Sequence, residues 1–190
     1  MTGIVIDTET TGLTRLSYVD RLNYKQWPRL VQIAWVRFGE DGIEERQETI
    51  IRPDDFRIPE NASQIHGISH EEALLTGVEV ASQLNELNVC LQKVQAIVAH
   101  NLNFDLGILE SEAMRAGFRL NLPSKRFCTV FLGREYLRKA KGRKRGGFPK
   151  LDALYEELFG FTYSHKHTAG ADTTACYHIF NRLRKLGYVG

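Results

Sequence analysis

The stretch Gly3-Ile4-Val5-Ile6-Asp7-Thr8-Glu9-Thr10-Thr11-Gly12-Leu13 constrains this chain more than any other. Its apolar, β-branched start reads as a short strand. Alternate side chains of a strand leave on opposite faces, so Val5, Asp7 and Glu9 share one face and Ile4, Ile6 and Thr8 the other. Two carboxylates therefore point the same way where the strand stops and a Thr-Thr-Gly turn begins. That is the C-terminal edge of a sheet, where α/β proteins place their sites. Residues two apart on one strand face lie about 7 Å from each other, and like charges at that spacing repel unless something positive lies between them. A divalent cation held by oxygen ligands is one candidate, because hard cations such as Mg²⁺ prefer carboxylates. A strand that simply ends in solvated acids is the other. Convergence of further acids on the same point separates the two.

The chain has 190 residues, enough to bury about 70% of its unfolded surface around one core, and residues 1–190 are expected to form a single domain. Cys90, Cys128 and Cys176 are odd in number, far apart and without a Cys-x-x-Cys pair. They argue against a disulfide framework and a zinc site, and fit small buried hydrophobes in a reducing, cytoplasmic setting. No charged-then-apolar leader precedes the first strand, and no apolar run approaches the roughly 18 residues that span a bilayer, so no membrane association is expected. A net charge of +2 points to no partner, but its distribution is uneven: residues 138–150 carry seven Lys or Arg and no acid.

After the first strand comes a connection from Thr14 to Arg29 that mixes Tyr18, Tyr24 and Trp27 with Arg15, Arg21, Lys25 and Arg29. Such a mixture can stack on bases and meet phosphates; it can equally tuck its aromatics onto the core edge. A second strand over Leu30–Phe38 and a third over Glu44–Arg52 complete a meander. Ile65-His66-Gly67-Ile68 reads as a compact turn before a short helix capped by Ser69 with Glu72 three residues on. An amphipathic helix spans about Glu79–Lys93, followed by a buried strand, Ala96–Ala99. His100-Asn101-Leu102-Asn103 leads into a helix over Phe104–Ala116, with Asn103 as its cap and Asp105 in its first turn. A last strand over Lys125–Thr129 and a helix over Val130–Leu137 precede the basic, glycine-containing stretch, which reads as a mobile loop. Helices then run over Lys150–Phe159, stopped by Gly160, and Ala171–Leu186, whose inner stripe is Cys176, Ile179, Phe180, Leu183 and Leu186. Asp172 sits one turn before Cys176 on that stripe, and an unpartnered acid there would be costly. His167 lies five residues earlier.

Three segments thus bring acids to strand or helix ends: Asp7-Thr8-Glu9-Thr10-Thr11-Gly12-Leu13, His100-Asn101-Leu102-Asn103-Phe104-Asp105 and His167-Thr168-Ala169-Gly170-Ala171-Asp172. In order and spacing they resemble the three motifs of the DEDD superfamily of 3′-5′ exonucleases, across residues 3 to about 180. His167 at five residues before the last acid, with Thr168 where the tyrosine branch has Tyr, is similar to the histidine branch; His165 has the wrong spacing.

The resemblance implies an α/β, ribonuclease H-like fold, a mixed five-stranded sheet flanked by helices. It implies that Asp7, Glu9, Asp105 and Asp172 hold two divalent cations, Mg²⁺ or Mn²⁺, with His167 as general base. Thr10, Leu13, His66 and Phe104 would seat the terminal nucleotide. The basic loop belongs to no family motif; Arg143, Lys144 and Arg145 are expected to meet the phosphates of a longer strand. The expected activity is hydrolysis of phosphodiester bonds from single-stranded 3′ ends, with DNA favoured and nucleoside 5′-monophosphates released. An exoribonuclease and a non-catalytic nucleic-acid-binding module of the same fold are the alternatives. Only Gly187 to Gly190 follow the last helix, so a free-standing enzyme is expected, with a polymerase partner left to the globular surface.

Overall fold

The computed structural model describes residues 1–14, 23–140, 142, 147–164 and 168–189. Strands β1 (Gly3–Thr10), β2 (Leu30–Phe38) and β3 (Ile43–Ile50) form the expected antiparallel meander. Strands β4 (Ala96–Ala99) and β5 (Lys125–Cys128) add in parallel on the other side of β1. The order β3-β2-β1-β4-β5 makes a mixed five-stranded sheet with β1 in the middle. β3 stops short of the expected Arg52 because Ile51 leaves the strand to bridge Val78, its N–H still donating to Val31 O at 2.8 Å.

The described helices are α1 (Glu60–His66), α2 (His70–Thr76), α3 (Val80–Leu91), α4 (Leu102–Arg115), α5 (Thr129–Ala140), α6 (Leu151–Phe159) and α7 (Ala169–Lys185). The alternation read from the first strand sorts them. Ile4 and Ile6 pack with Leu84, Leu87 and Leu91 of α3 and Leu106, Ile108 and Leu109 of α4. Val5, on the other face, packs with Val36, Phe38 and Val98 against Cys176, Tyr177 and Phe180 of α7. Each apolar face of β1 is thereby removed from water, the dominant favourable term in folding. Leu154 and Tyr155 of α6 join Ile179 and Leu183 of α7 in a further cluster. Cys90 and Cys176 are buried and Cys128 is partly buried, all as free thiols. Among the described residues no helix is long and apolar enough to cross a membrane.

Several boundaries differ from the sequence reading for local reasons. The expected turn at His66 is the last turn of α1, a helix too short to show an apolar stripe, and Gly67 ends it in the left-handed conformation (φ 79°) that glycine adopts without strain. Ser69 caps α2 as expected, accepting from Glu72 N–H at 3.0 Å. Asn103 is not a cap: α4 begins at Leu102, preceded by Asn101 in a left-handed conformation (φ 79°) that non-glycine residues seldom take. α7 starts at Ala169, two residues before the expected position, because Thr168 Oγ1 accepts from Ala171 N–H at 3.3 Å. Leu186 follows its end and is exposed rather than part of the stripe.

The described part of the long connection tucks onto the core edge. Trp27 is buried and lies over Gly107 of α4, where a Cβ would collide with its ring. Glu112, also buried, accepts from Arg29 Nε at 2.8 Å and Leu30 N–H at 3.1 Å, and Arg115 donates to Trp27 O at 2.9 Å. Arg15, Tyr18 and Arg21 lie outside the described residues.

Candidate active site

β1 carries Asp7 opposite Ala34 and Glu9 opposite Gln32 of β2, and its pairing shifts register immediately after Glu9. α7 crosses the same face and delivers Asp172. One carboxylate oxygen each from Asp7, Glu9 and Asp172 lie within 4.8 Å of one another. The start of α7 is fixed to the sheet: Ala169 N–H donates to Gln32 Oε1 at 3.2 Å and Gly170 N–H to Glu48 Oε1 at 3.1 Å. Gln32 Nε2 donates to the same Glu48 oxygen at 3.1 Å. A Cβ on Gly170 would meet the Glu48 carboxylate and displace it.

Asp105 arrives from the opposite face, in the first turn of α4, and is buried. It stands outside the three-oxygen group; its Oδ1 instead accepts from Thr8 Oγ1 at 2.9 Å, and Thr8 sits on the α4 side of β1 between the two acids. Tyr163 braces the fourth carboxylate, donating its hydroxyl to Asp172 Oδ1 at 2.7 Å.

Crowding and burial set the electrostatics. Burial, then the charges of Asp105, Asp172 and Glu9, holds Asp7 well above the usual carboxylate range. Burial with Asp172 and Asp105 pushes Glu9 up to about 7. Burial also pushes Asp105 up to about 7, against the lowering effect of the Thr8 hydroxyl. Burial and the Asp172 carboxylate raise the Tyr163 hydroxyl, keeping it a donor. Among the described residues neither Asp7 nor Glu9 has a cationic partner. Acceptor-only oxygens with unbalanced negative charge are the donor set that a hard divalent cation takes.

The nucleotide-seating residues expected from the sequence come from three places: the turn after β1, the first turn of α4 and the end of α1. Thr10 is buried and its hydroxyl donates to Gly12 O at 2.6 Å, shaping the turn that leaves Leu13 82% exposed. Phe104 is half-buried, its ring centroid 6.3 Å from that of Trp27. His66 is buried, and its Nδ1 accepts from Ile68 N–H at 3.1 Å. The neutral ring's proton is then on Nε2, a buried donor with no partner among the described residues. His165, His167, Arg143, Lys144 and Arg145 lie outside the described residues; His167 directly precedes Thr168, the cap of α7.

Tyr163, Gln32 and Glu48 were not singled out by the sequence, and no spacing rule points to them. The sequence places His100 at the start of the second motif and at the lead-in to a helix, without a role of its own. Its partly buried ring joins two segments: Nδ1 is 2.9 Å from Thr129 Oγ1 and Nε2 is 3.0 Å from Pro149 O. A carbonyl only accepts, so Nε2 carries the proton and Nδ1 accepts from the threonine hydroxyl. Burial lowers the ring's pKa to about 4 and keeps it neutral.

Residues 4–180 match the family model described as Exonuclease (RNase_T). The chain is similar to a DNA polymerase III subunit epsilon-like protein of Rhodobacter capsulatus, 30% identical over 96% of this chain and 24% of that protein. It is also similar to the 3′-5′ exonuclease DinG of Bacillus subtilis, 31% identical over 97% of this chain and 18% of that protein. The chain therefore spans under a quarter of the length of either relative. Among solved structures, the zinc-bound complex of Escherichia coli exonuclease I with single-stranded DNA superposes with a TM-score of 0.76 at 21% identity, over 97% of this chain and 40% of that one. At that identity the likeness is one of fold, the same α/β arrangement described above.

Proposed function

Because the chain belongs to the exonuclease family, we propose that it is a divalent-metal-dependent 3′-5′ exonuclease acting on single-stranded ends, DNA favoured, and releasing nucleoside 5′-monophosphates. One observation carries this reading: carboxylate oxygens of Asp7, Glu9 and Asp172 converge within 4.8 Å, with Asp105 held beside them by Thr8. Asp7, Glu9, Asp105 and Asp172 are the residues that would hold two cations, Mg²⁺ or Mn²⁺. When bound, such ions supply Lewis-acid stabilisation of the phosphoryl oxygens and a water that deprotonates near neutral pH.

The chain's own residues do the rest. His167, one residue ahead of the α7 cap, takes the proton of the attacking water; an imidazole near its ordinary pKa suits proton transfer at neutral pH. Water oxygen bonds to phosphorus, the bond to the 3′-oxygen of the preceding nucleotide breaks, and the terminal nucleotide leaves as its 5′-monophosphate. Thr10, Leu13, Phe104 and the Nε2–H of His66, unpartnered among the described residues, seat that nucleotide. Tyr163 and Thr8 orient Asp172 and Asp105. In this reading residues 1–190 act as one exonuclease domain in a reducing, cytoplasmic setting. The names of the relatives and the DNA in the exonuclease I complex support DNA over RNA as substrate.

Incubating 5′-labelled single-stranded DNA and RNA with the protein and Mg²⁺ or Mn²⁺ tests it. A ladder that shortens from the 3′ end of DNA, and stops in EDTA, is expected. Faster shortening of RNA would make the enzyme an exoribonuclease, and binding without cleavage would leave only a nucleic-acid-binding module.

A further inference from the structure

A cavity of about 600 Å³ opens beside Asp172 at the β4–β5 side of β1, whereas Thr10 pairs toward β2. Its walls come from the ends of β4 and β5, from α5, and from the strap before α6. Asn101, Phe131, Phe148, Lys150, Tyr163 and Asp172 line it. The turn after β1 leans the other way: Thr10 pairs with Leu30 of β2, and Thr11 N–H donates to Arg29 O at 3.0 Å. α1, which carries His66, packs under β2 and β3 through Val31 and Ile50. A strand whose terminal nucleotide sits on the β2 side, with its scissile phosphate at the carboxylates, must continue over β4 and β5. The cavity is the opening it meets there.

The wall chemistry suits a nucleoside. Phe131 and Phe148 are 53% and 64% exposed, large for phenylalanines away from any core, and meet edge to face with centroids 5.8 Å apart. The Arg134 guanidinium lies 5.5 Å from the Phe148 centroid and Lys150 stands at the wall, so cations flank an aromatic surface, the combination that binds a base and its phosphate together. The only acid contributed by α6, Asp152, is engaged by Ala153 N–H at 2.7 Å. The strap is held in place: the carbonyl of Pro149, next to Phe148, accepts from His100 Nε2–H. The volume falls within the range of small-ligand pockets, about 300–1,000 Å³.

We infer that this cavity seats the penultimate nucleotide, with its base stacked on Phe148 and Phe131 and its phosphate facing Arg134 and Lys150. The inference rests on the exonuclease reading for the direction of the strand. It makes the enzyme sensitive to the base on the 5′ side of the bond it cuts, separately from the base it releases.

Two measurements test it on single-stranded DNA. In the first, release of the terminal nucleotide is timed for oligonucleotides with either a normal or an abasic penultimate residue. The wild type should favour the normal base by about 5- to 150-fold, the range that stacking on one aromatic supplies. Phe148→Ala should bring the ratio to within about twofold, and Phe148→Trp should restore it. In the second, 2-aminopurine replaces either the terminal or the penultimate base, and its quenching on binding is recorded. Quenching at the penultimate position that disappears in Phe148→Ala supports the subsite even if no nucleotide is released, in which case the exonuclease reading alone fails. Nucleotide release with a base preference unchanged by Phe148→Ala overturns the subsite and leaves the exonuclease reading standing. So does a Phe148-dependent signal from the terminal base.

Discussion

His100 Nε2 donates to Pro149 O across 3.0 Å, a partly buried hydrogen bond that ties the end of β4 to the strap ahead of α6. Replacing the ring leaves two polar groups, Pro149 O and the Thr129 hydroxyl, without it. His100→Phe should lower unfolding stability by about 1–3 kcal/mol. The loss should depend on pH with a definite sign. The folded pKa, about 4, lies below the ordinary 6.5, so the unfolded chain binds more protons between those values and His100 stabilises increasingly as pH rises through them. Burial lowers His66 and His178 in the same direction, so the measurement is a difference. Urea titrations should show wild type gaining more stability than His100→Phe between pH 4 and pH 6.5.

Glu9 carries the opposite sign. Its folded pKa of about 7 lies above the ordinary 4.5, so its contribution is present in acid and is lost as pH rises through 7. In EDTA, Glu9→Gln should therefore gain melting temperature relative to wild type between pH 5 and pH 8. At pH 8, Mg²⁺ or Mn²⁺ should raise the melting temperature of wild type by mass action, and much less that of Glu9→Gln. Equal shifts in the two proteins would put the ion elsewhere.

Asp7→Asn and Asp172→Asn remove a carboxylate charge without removing core volume. Each should fold normally and retain under about a tenth of wild-type cleavage, since metal-derived stabilisation is worth several kcal/mol. His167→Ala should cost about 10²- to 10⁴-fold in rate, and His165→Ala little. A damaging His165→Ala beside a tolerated His167→Ala would reverse the assignment of the two.

Thr8→Val and Tyr163→Phe keep every carboxylate and delete one hydrogen bond each, to Asp105 and to Asp172. Bonds that orient metal-ligating groups are typically worth about 10- to 100-fold in metal affinity. Mn²⁺ titration of each variant should show a loss in that range, with unchanged thermal stability in EDTA to within a few degrees. Unaltered Mn²⁺ affinity in both would reduce the two hydroxyls to packing groups.

Replacing Arg143, Lys144 and Arg145 together with Ser should weaken binding of long single strands. It should also flatten the log–log salt dependence by roughly two, at about 0.7 per neutralised phosphate. Undiminished affinity at low salt would free the basic stretch of any role in holding the strand.

The sheet was legible because β1 announces itself twice. Its apolar alternation matches the two helix layers residue for residue, Ile4 and Ile6 toward α3 and α4, Val5 toward α7. The acids were legible because each closes or opens an element, where local pattern is strongest. Less legible was what holds them. Thr8 was placed on the face away from Asp7 and Glu9, which is right for the strand, but only the packing of α4 on that face turns its hydroxyl into the partner of Asp105. Gln32 and Glu48 act through contacts with α7, more than a hundred residues away, and Tyr163 reaches Asp172 from the irregular segment before α7; no local period encodes any of these. His100 was hidden for the opposite reason, since a histidine after a buried strand looks like any turn residue until the strap lies over it.

The tie between α7 and the sheet also orders events in time. Ala169 reaches Gln32 across 137 positions and Asp105 reaches Thr8 across 97, so the acids meet only through contacts between remote parts of the chain. Chains emerge from the ribosome at about 5–20 residues per second. The strand bearing Asp7 and Glu9 is therefore made many seconds before the helix bearing Asp172, and throughout that interval the growing chain carries an incomplete set of the four carboxylates. Synthesis itself thus acts as a safety catch on the carboxylate cluster, released when α7 docks.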